Sequence, residues 1–138
     1  MKILVDTNVI LDFFLSREPQ KEAVVKLFEQ ICQENAEAFT TANSITDIYY
    51  ITAKRLGDNQ ARELLRNLFN IFEVISVDGN DCEKALNLPI TDYEDALVVT
   101  CAKKKNIGYI ISNDRDFLRV EPESARVVSP DDFVKELC

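Results

Sequence analysis

The sequence predicts an α/β domain in three layers around a mainly parallel central sheet. Two observations carry that prediction. Short apolar runs rich in Val and Ile alternate with longer stretches of helical periodicity. No repeat, low-complexity segment or linker interrupts them, so residues 1–138 read as a single domain, long enough for a sizeable core.

Taken in order, residues 2–5 read as a strand and residues 7–15 as a short helix that ends in the turn-like Ser16-Arg17-Glu18-Pro19. Gln20 to Gln33 places Ala23, Val24, Leu27, Phe28 and Ile31 on one helical face. Glu37 to Thr41 reads as a short strand. The segment ANSITDIYYITAKRLG is a helix closed by Gly57. Helical spacing returns over 59–71, with Leu64, Leu65 and Leu68 available to a core or an interface. Phe72 to Val77 alternates as a strand, and Asp81 to Leu88 reads as a short helix. Asp92 to Lys105 is a longer helix whose lysines suit its negative C-terminal end. Tyr109 to Ser112 and Arg126 to Val128 are strands, and Pro130 opens a last helix.

Composition narrows the chemistry. There is no histidine, which removes the commonest general base and most zinc sites. Cys32, Cys82, Cys101 and Cys138 fit no metal-binding spacing and read as reduced thiols. No apolar run is long enough to span a membrane, and no signal-peptide pattern is visible, so the expected location is cytoplasmic. The net charge of −8 counts against a simple nucleic-acid-binding module. A group of carboxylates around a divalent cation would look equally acidic.

Such a group is visible in outline. Asp6 ends the first strand in ILVDTNVILDFF, where burial of a carboxylate is costly unless compensated. Asp47 is expected in the first turn of its helix. Asp92 and Asp95 start another helix three residues apart, on a shared face. Asp114 and Asp116 come after the strand Tyr109 to Ser112. Ligand sites in open α/β sheets form beyond the carboxyl ends of strands. Convergence there would call for Mg²⁺ or Mn²⁺. Each acid also has a structural alternative. Asp6 can cap a helix, and Ser44 with Asp47 resembles a capping box. Thr91 to Glu94 resembles another, with Asp92 in the first turn. Asp114 can turn with Asn113, and Asp116 can cap the next segment. Tyr49 and Tyr50 read as half-core rather than as base-stacking platforms.

Three blocks, ILVDTNVILDFF, SITDIYYI and DYEDALVVTCAKKKNIGYIISNDRDF, resemble the motifs of PIN-domain ribonucleases, and within them the compact VapC-type toxins and their stand-alone relatives. The resemblance spans residues 2 to about 118 and implies a PIN-like three-layer domain. It implies catalytic acids at Asp6, Asp47, Asp95 and Asp114 or Asp116, with Asp47 where the family usually has Glu. Metal ligation falls to Asp6, Asp95 and Asp114 or Asp116. Thr7, Asn8, Asp92 and Ser112 would support them. It further implies metal-dependent hydrolysis of RNA by Mg²⁺ or Mn²⁺. Lys54, Arg55, Arg62, Arg66 and Arg115 are candidate phosphate contacts, an antitoxin protein a candidate partner, and a homodimer the expected assembly. The alternative is a weak or inactive PIN-like module that binds protein or RNA.

Overall fold

A computed structural model describes residues 1–137; Cys138 lies outside the described residues. Its elements in order are β1 (Lys2–Val5), α1 (Thr7–Phe14), α2 (Lys21–Cys32), β2 (Glu37–Thr41), α3 (Ala42–Leu56), α4 (Asp58–Ile71), β3 (Phe72–Ile75), α5 (Gly79–Leu86), α6 (Tyr93–Lys104), β4 (Tyr109–Ile111), α7 (Arg115–Leu118), β5 (Arg126–Val128) and α8 (Pro130–Leu137). The sheet has five strands in the order β3-β2-β1-β4-β5, and every pairing is parallel. Its centre is β1, with Leu4 opposite Phe39 on one side and Ile110 on the other.

The three layers arise from the alternation along β1. Ile3 and Val5 enter a core built with α1, α2, Ile48 of α3, Leu68 of α4 and Phe133 of α8. Leu4 enters a second core, on Val98, Val99 and Cys101 of α6 and Phe117 of α7. Side chains two apart share a face of a strand, so a buried central strand feeds both layers. Helix α6 is buried at every residue from Asp95 to Ala102, as expected for a helix with apolar residues around most of its circumference.

Several expectations need correction. Helix α3 begins directly after β2, so Asp47 lies in its second turn rather than its first. Thr41 is the extended residue before the helix, and its hydroxyl pairs with Ser44 Oγ at 2.7 Å. Ser44 is therefore already inside the helix and forms no capping box with Asp47. Asp92 is itself the N-cap of α6 and accepts from the Asp95 backbone N–H at 3.0 Å, which replaces the box expected from Thr91 and Glu94. The single turn α7 is too short to show a period in sequence. Gly57 closes α3 at φ 89°, a conformation that side chains disfavour. Leu68 is core, whereas Leu64 and Leu65 are half-buried.

Candidate active site

The strand order reverses direction between β1 and β4, so the loops after these two strands part to opposite sides and leave a crevice. Asp6 comes after β1, and Ser112, Asn113 and Asp114 come after β4. Backbone bonds continue the sheet at the floor of the crevice: Asp6 N–H donates to Ile111 O of β4 at 2.9 Å, and Ser112 N–H donates to Val128 O of β5 at 3.0 Å.

Asp6 both caps α1 and lines the cleft that opens here. Its Oδ1 accepts from the Thr7 N–H at 2.9 Å. Its Oδ2 accepts from Ser112 Oγ at 2.9 Å and Asn8 Nδ2 at 3.1 Å. Ser112 Oγ in turn accepts the Asp114 N–H at 3.0 Å, and Asn8 Oδ1 accepts the Asn113 N–H at 3.0 Å. Thr7, Asn8 and Ser112, expected as supports, therefore bind the backbone or carboxylates of the site.

A cleft of about 280 Å³ opens here, lined by Asp6, Asp47, Asp92, Glu94, Asp95 and Asp114 among others. Leu11 and Val98 contribute apolar wall, which lowers the local dielectric and strengthens charge effects. Asp95 is 8% exposed, carried inward by the buried face of α6. Burial, then the negative charges of Asp92, Asp6 and Asp114, push its pKa up to about 7. Burial also raises that of Asp6, against the hydrogen bonds from Ser112, Thr7 and Asn8 and with help from Asp114. Among the described residues, no ion pair engages Asp6, Asp47, Asp92, Asp95 or Asp114.

The structure separates Asp114 from Asp116. Asp114 is half-buried, lines the cleft and caps α7 by accepting the Asp116 N–H at 2.9 Å. The Asp116 side chain is 89% exposed and stands 3.9 Å from Arg119. It lines an adjoining groove of about 1330 Å³ that shares Asp92, Asp95 and Asp114 with the cleft and carries Lys84, Lys103 and Arg119.

The expected phosphate contacts fare differently. Arg62 pairs with Asp58 and lies over the Tyr49 ring, and Arg66 pairs with Glu63. Lys54, Arg55, Arg62, Arg66 and Arg115 line neither cavity. The basic residue that lines the cleft is Arg17, which the sequence motifs do not single out. The same holds for Asp12, a buried acid that Arg17 holds. Its one visible signal is a charge inside the apolar run from Val9 to Phe14.

The donor set can be tested for an ion. Among the described residues, no three acidic, cysteine or histidine side chains form a ready-made ion cage. A hard cation that retains waters and uses only one or two carboxylates would still suit oxygen donors of this kind. The buried, unpaired Asp95 and the half-buried Asp6 supply the charge such an ion would balance.

The fold and site together are those of a parallel α/β domain with acids that have no ion-pair partner, among the described residues, at the switch point of its sheet. The PIN domain family model matches residues 2–116, and the chain belongs to that family. The chain is 31% identical over 121 residues to Ribonuclease VapC1 of Aquifex aeolicus (strain VF5), covering 84% of this chain and 83% of that protein. Two solved structures share the fold. VapBC2 from Rickettsia felis, bound to a DNA fragment from its promoter, superposes with a TM-score of 0.67 at 15% identity, over 92% of this chain and 97% of that one. The Sarcin-Ricin loop cleaving toxin VapC20 of Mycobacterium tuberculosis gives 0.68 at 17% identity, over 83% and 92%.

Proposed function

We propose that the chain is a divalent-metal-dependent endoribonuclease of the VapC kind, and the toxin half of a toxin–antitoxin pair. The observation that carries this reading is the cleft in which Asp6, Asp95 and Asp114 meet with no ion pair to any of them among the described residues, and with Asp95 pushed up to about 7. The ribonuclease relative at 31% identity supports the substrate class.

Asp6, Asp95 and Asp114 would hold Mg²⁺ or Mn²⁺, with Asp47 on the cleft and Asp116 on the adjoining groove as outer acids. When bound, such an ion balances charge on the phosphate oxygens and makes water a better nucleophile. The chain's own residues prepare the site. Ser112 and Asn8 fix Asp6 Oδ2, and Ser112 also fixes the Asp114 backbone, so both acids are set by one hydroxyl. Asp92 caps the helix that presents Asp95. The Asp95 carboxyl, pushed up to about 7 by burial and neighbouring acids in the metal-free chain, would give up its proton when the ion binds.

RNA is the proposed substrate, and the groove bearing Lys84, Lys103 and Arg119 offers cations beside the acids. An antitoxin protein is the proposed partner. A second copy of the chain would cover Tyr50, Ile51 and Leu56 of α3 and Phe69 of α4, exposed on two helices that pack together. Among the described residues no helix is long and apolar enough to cross a membrane; a cytoplasmic setting fits an RNA substrate.

The test is cleavage of a labelled structured RNA. We expect cleavage with Mn²⁺ or Mg²⁺, none with EDTA, and none from Asp6→Asn. Cleavage that survives both EDTA and Asp6→Asn would reject the reading. Absence of cleavage and of a metal-induced thermal shift would favour the binding module.

A further inference from the structure

Asp12 is a buried carboxylate that the proposed chemistry does not use. It is 6% exposed, on α1, about one and a half turns beyond Asp6. Both its oxygens are engaged. Oδ1 accepts from Arg17 Nε at 2.8 Å, and Oδ2 accepts from Asn113 Nδ2 at 2.6 Å. Arg17 also donates its backbone N–H to Asp12 O at 3.0 Å and Nη2 to Asn8 O at 3.4 Å. Asn113 is gripped twice by α1, through its backbone N–H to Asn8 Oδ1 and its side chain to Asp12. It sits between Ser112, which binds Asp6, and Asp114.

Stability alone does not call for this arrangement. An apolar pair of similar volume often serves a buried position as well as an ion pair does. The sheet already ties the end of β1 to the end of β4 through the backbone bond from Asp6 to Ile111. Asp12 adds a fixed place for Asn113, and hence for the residue after it.

We propose that Asp12 is a positioning residue, which holds Arg17 with one oxygen and Asn113 with the other and so sets the separation of Asp6 and Asp114. The proposal rests on the metal-site reading of that cleft. Second-sphere contacts of this kind change metal affinity by about 10- to 100-fold.

The experiment is calorimetric titration of metal-free protein with Mn²⁺. The variants are Asp12→Asn and Asn113→Ala; the second removes the contact from a half-buried loop residue and leaves the Asp12–Arg17 pair in place. Asp81→Asn serves as the control, because it breaks another buried ion pair outside the cleft. We expect Asn113→Ala and Asp12→Asn to weaken Mn²⁺ binding about tenfold in folded protein. Asp81→Asn should lower the melting temperature and leave Mn²⁺ affinity unchanged. Affinity of Asn113→Ala within about twofold of wild type would overturn the positioning role while leaving the metal site standing. Wild-type protein that binds no Mn²⁺ would overturn both.

Discussion

Helices α5 and α6 begin with the same pattern, Asp-x-x-Asp, and the two second aspartates behave in opposite ways. Asp78 caps α5 and accepts the Asp81 N–H at 2.9 Å; Asp92 caps α6 and accepts the Asp95 N–H at 3.0 Å. Asp81 is 2% exposed and Asp95 8%. Asp81 also receives the Asp78 N–H and pairs with Lys104 at 2.5 Å, and these bonds hold its pKa below the usual carboxylate range. Asp95 meets only burial and other carboxylates, and rises to about 7. The cation that satisfies Asp81 belongs to the same helix as Asp95 but lies nine residues on, about 14 Å along the axis. Local sequence sets the cap. Tertiary position decides whether the buried charge has a partner, and Asp95 has no ion-pair partner among the described residues.

The sharpest way to break this contrast is to neutralise each acid in turn. Asp95→Asn should reduce RNA cleavage by about 100-fold or more, since it removes a proposed ligand rather than a supporting group. A steady-state cleavage assay checks it. Asp81→Asn, outside the cleft, should leave the Mn²⁺ affinity of the folded protein unchanged.

Removing the cation gives the next largest effect. Lys104→Met removes the charged hydrogen bond to Asp81 and leaves it only the Asp78 N–H, at a cost of about 2 kcal/mol. Urea denaturation at neutral pH should register it. The Asp81 pKa is lower folded than unfolded, so its contribution is present above the unfolded value and fades as pH falls through the folded one. The Lys104 mutational effect should therefore shrink in acid.

Asp95 predicts the reverse dependence. Its folded pKa of about 7 lies above the unfolded value near 3.8, so the folded chain binds more protons in that window. Stability of the metal-free protein should fall as pH rises from about 4 to about 7 on account of this group. Asp95→Asn should raise the melting temperature by a few degrees at pH 8, about 2–4 °C per kcal/mol recovered, and by nothing at pH 4. Differential scanning calorimetry at the two pH values checks both arms.

The smallest effect separates two neighbours. Asp114→Asn should resemble Asp95→Asn, whereas the exposed Asp116→Asn should change cleavage by only about threefold, as expected of a group that touches the reacting centre indirectly. Equal losses would place both acids in the site.

Local periodicity, and charge placed beside apolar runs, make much of the molecule legible in its sequence. They reveal the central strand, the acids at its end and at the start of α6, and the alternation that makes three layers. The features that stay hidden depend on distant partners. The turn of α7 leaves Asp114 half-buried on the cleft and Asp116 exposed, a difference that two acids two residues apart do not show in sequence. Asp12 and Arg17 acquire meaning only through Asn113, 101 residues from Asp12. Ser44 resembles a cap because the sequence does not reveal that β2 runs into α3 without a loop. Lys104 reads as a helix-end lysine, yet its bond to Asp81 spans 23 residues.

If a divalent ion completes the site at the unpaired Asp95, its binding must be linked to the ionisation of that group. Calorimetric titration with Mn²⁺ at pH 7, in two buffers of different ionisation enthalpy, tests it most directly. Binding should release a measurable fraction of a proton, because a group with a raised pKa is partly protonated there and must ionise to bind. Asp95→Asn should lose that proton release together with most of the affinity. Equal affinity and equal proton release in the two proteins would contradict the linkage.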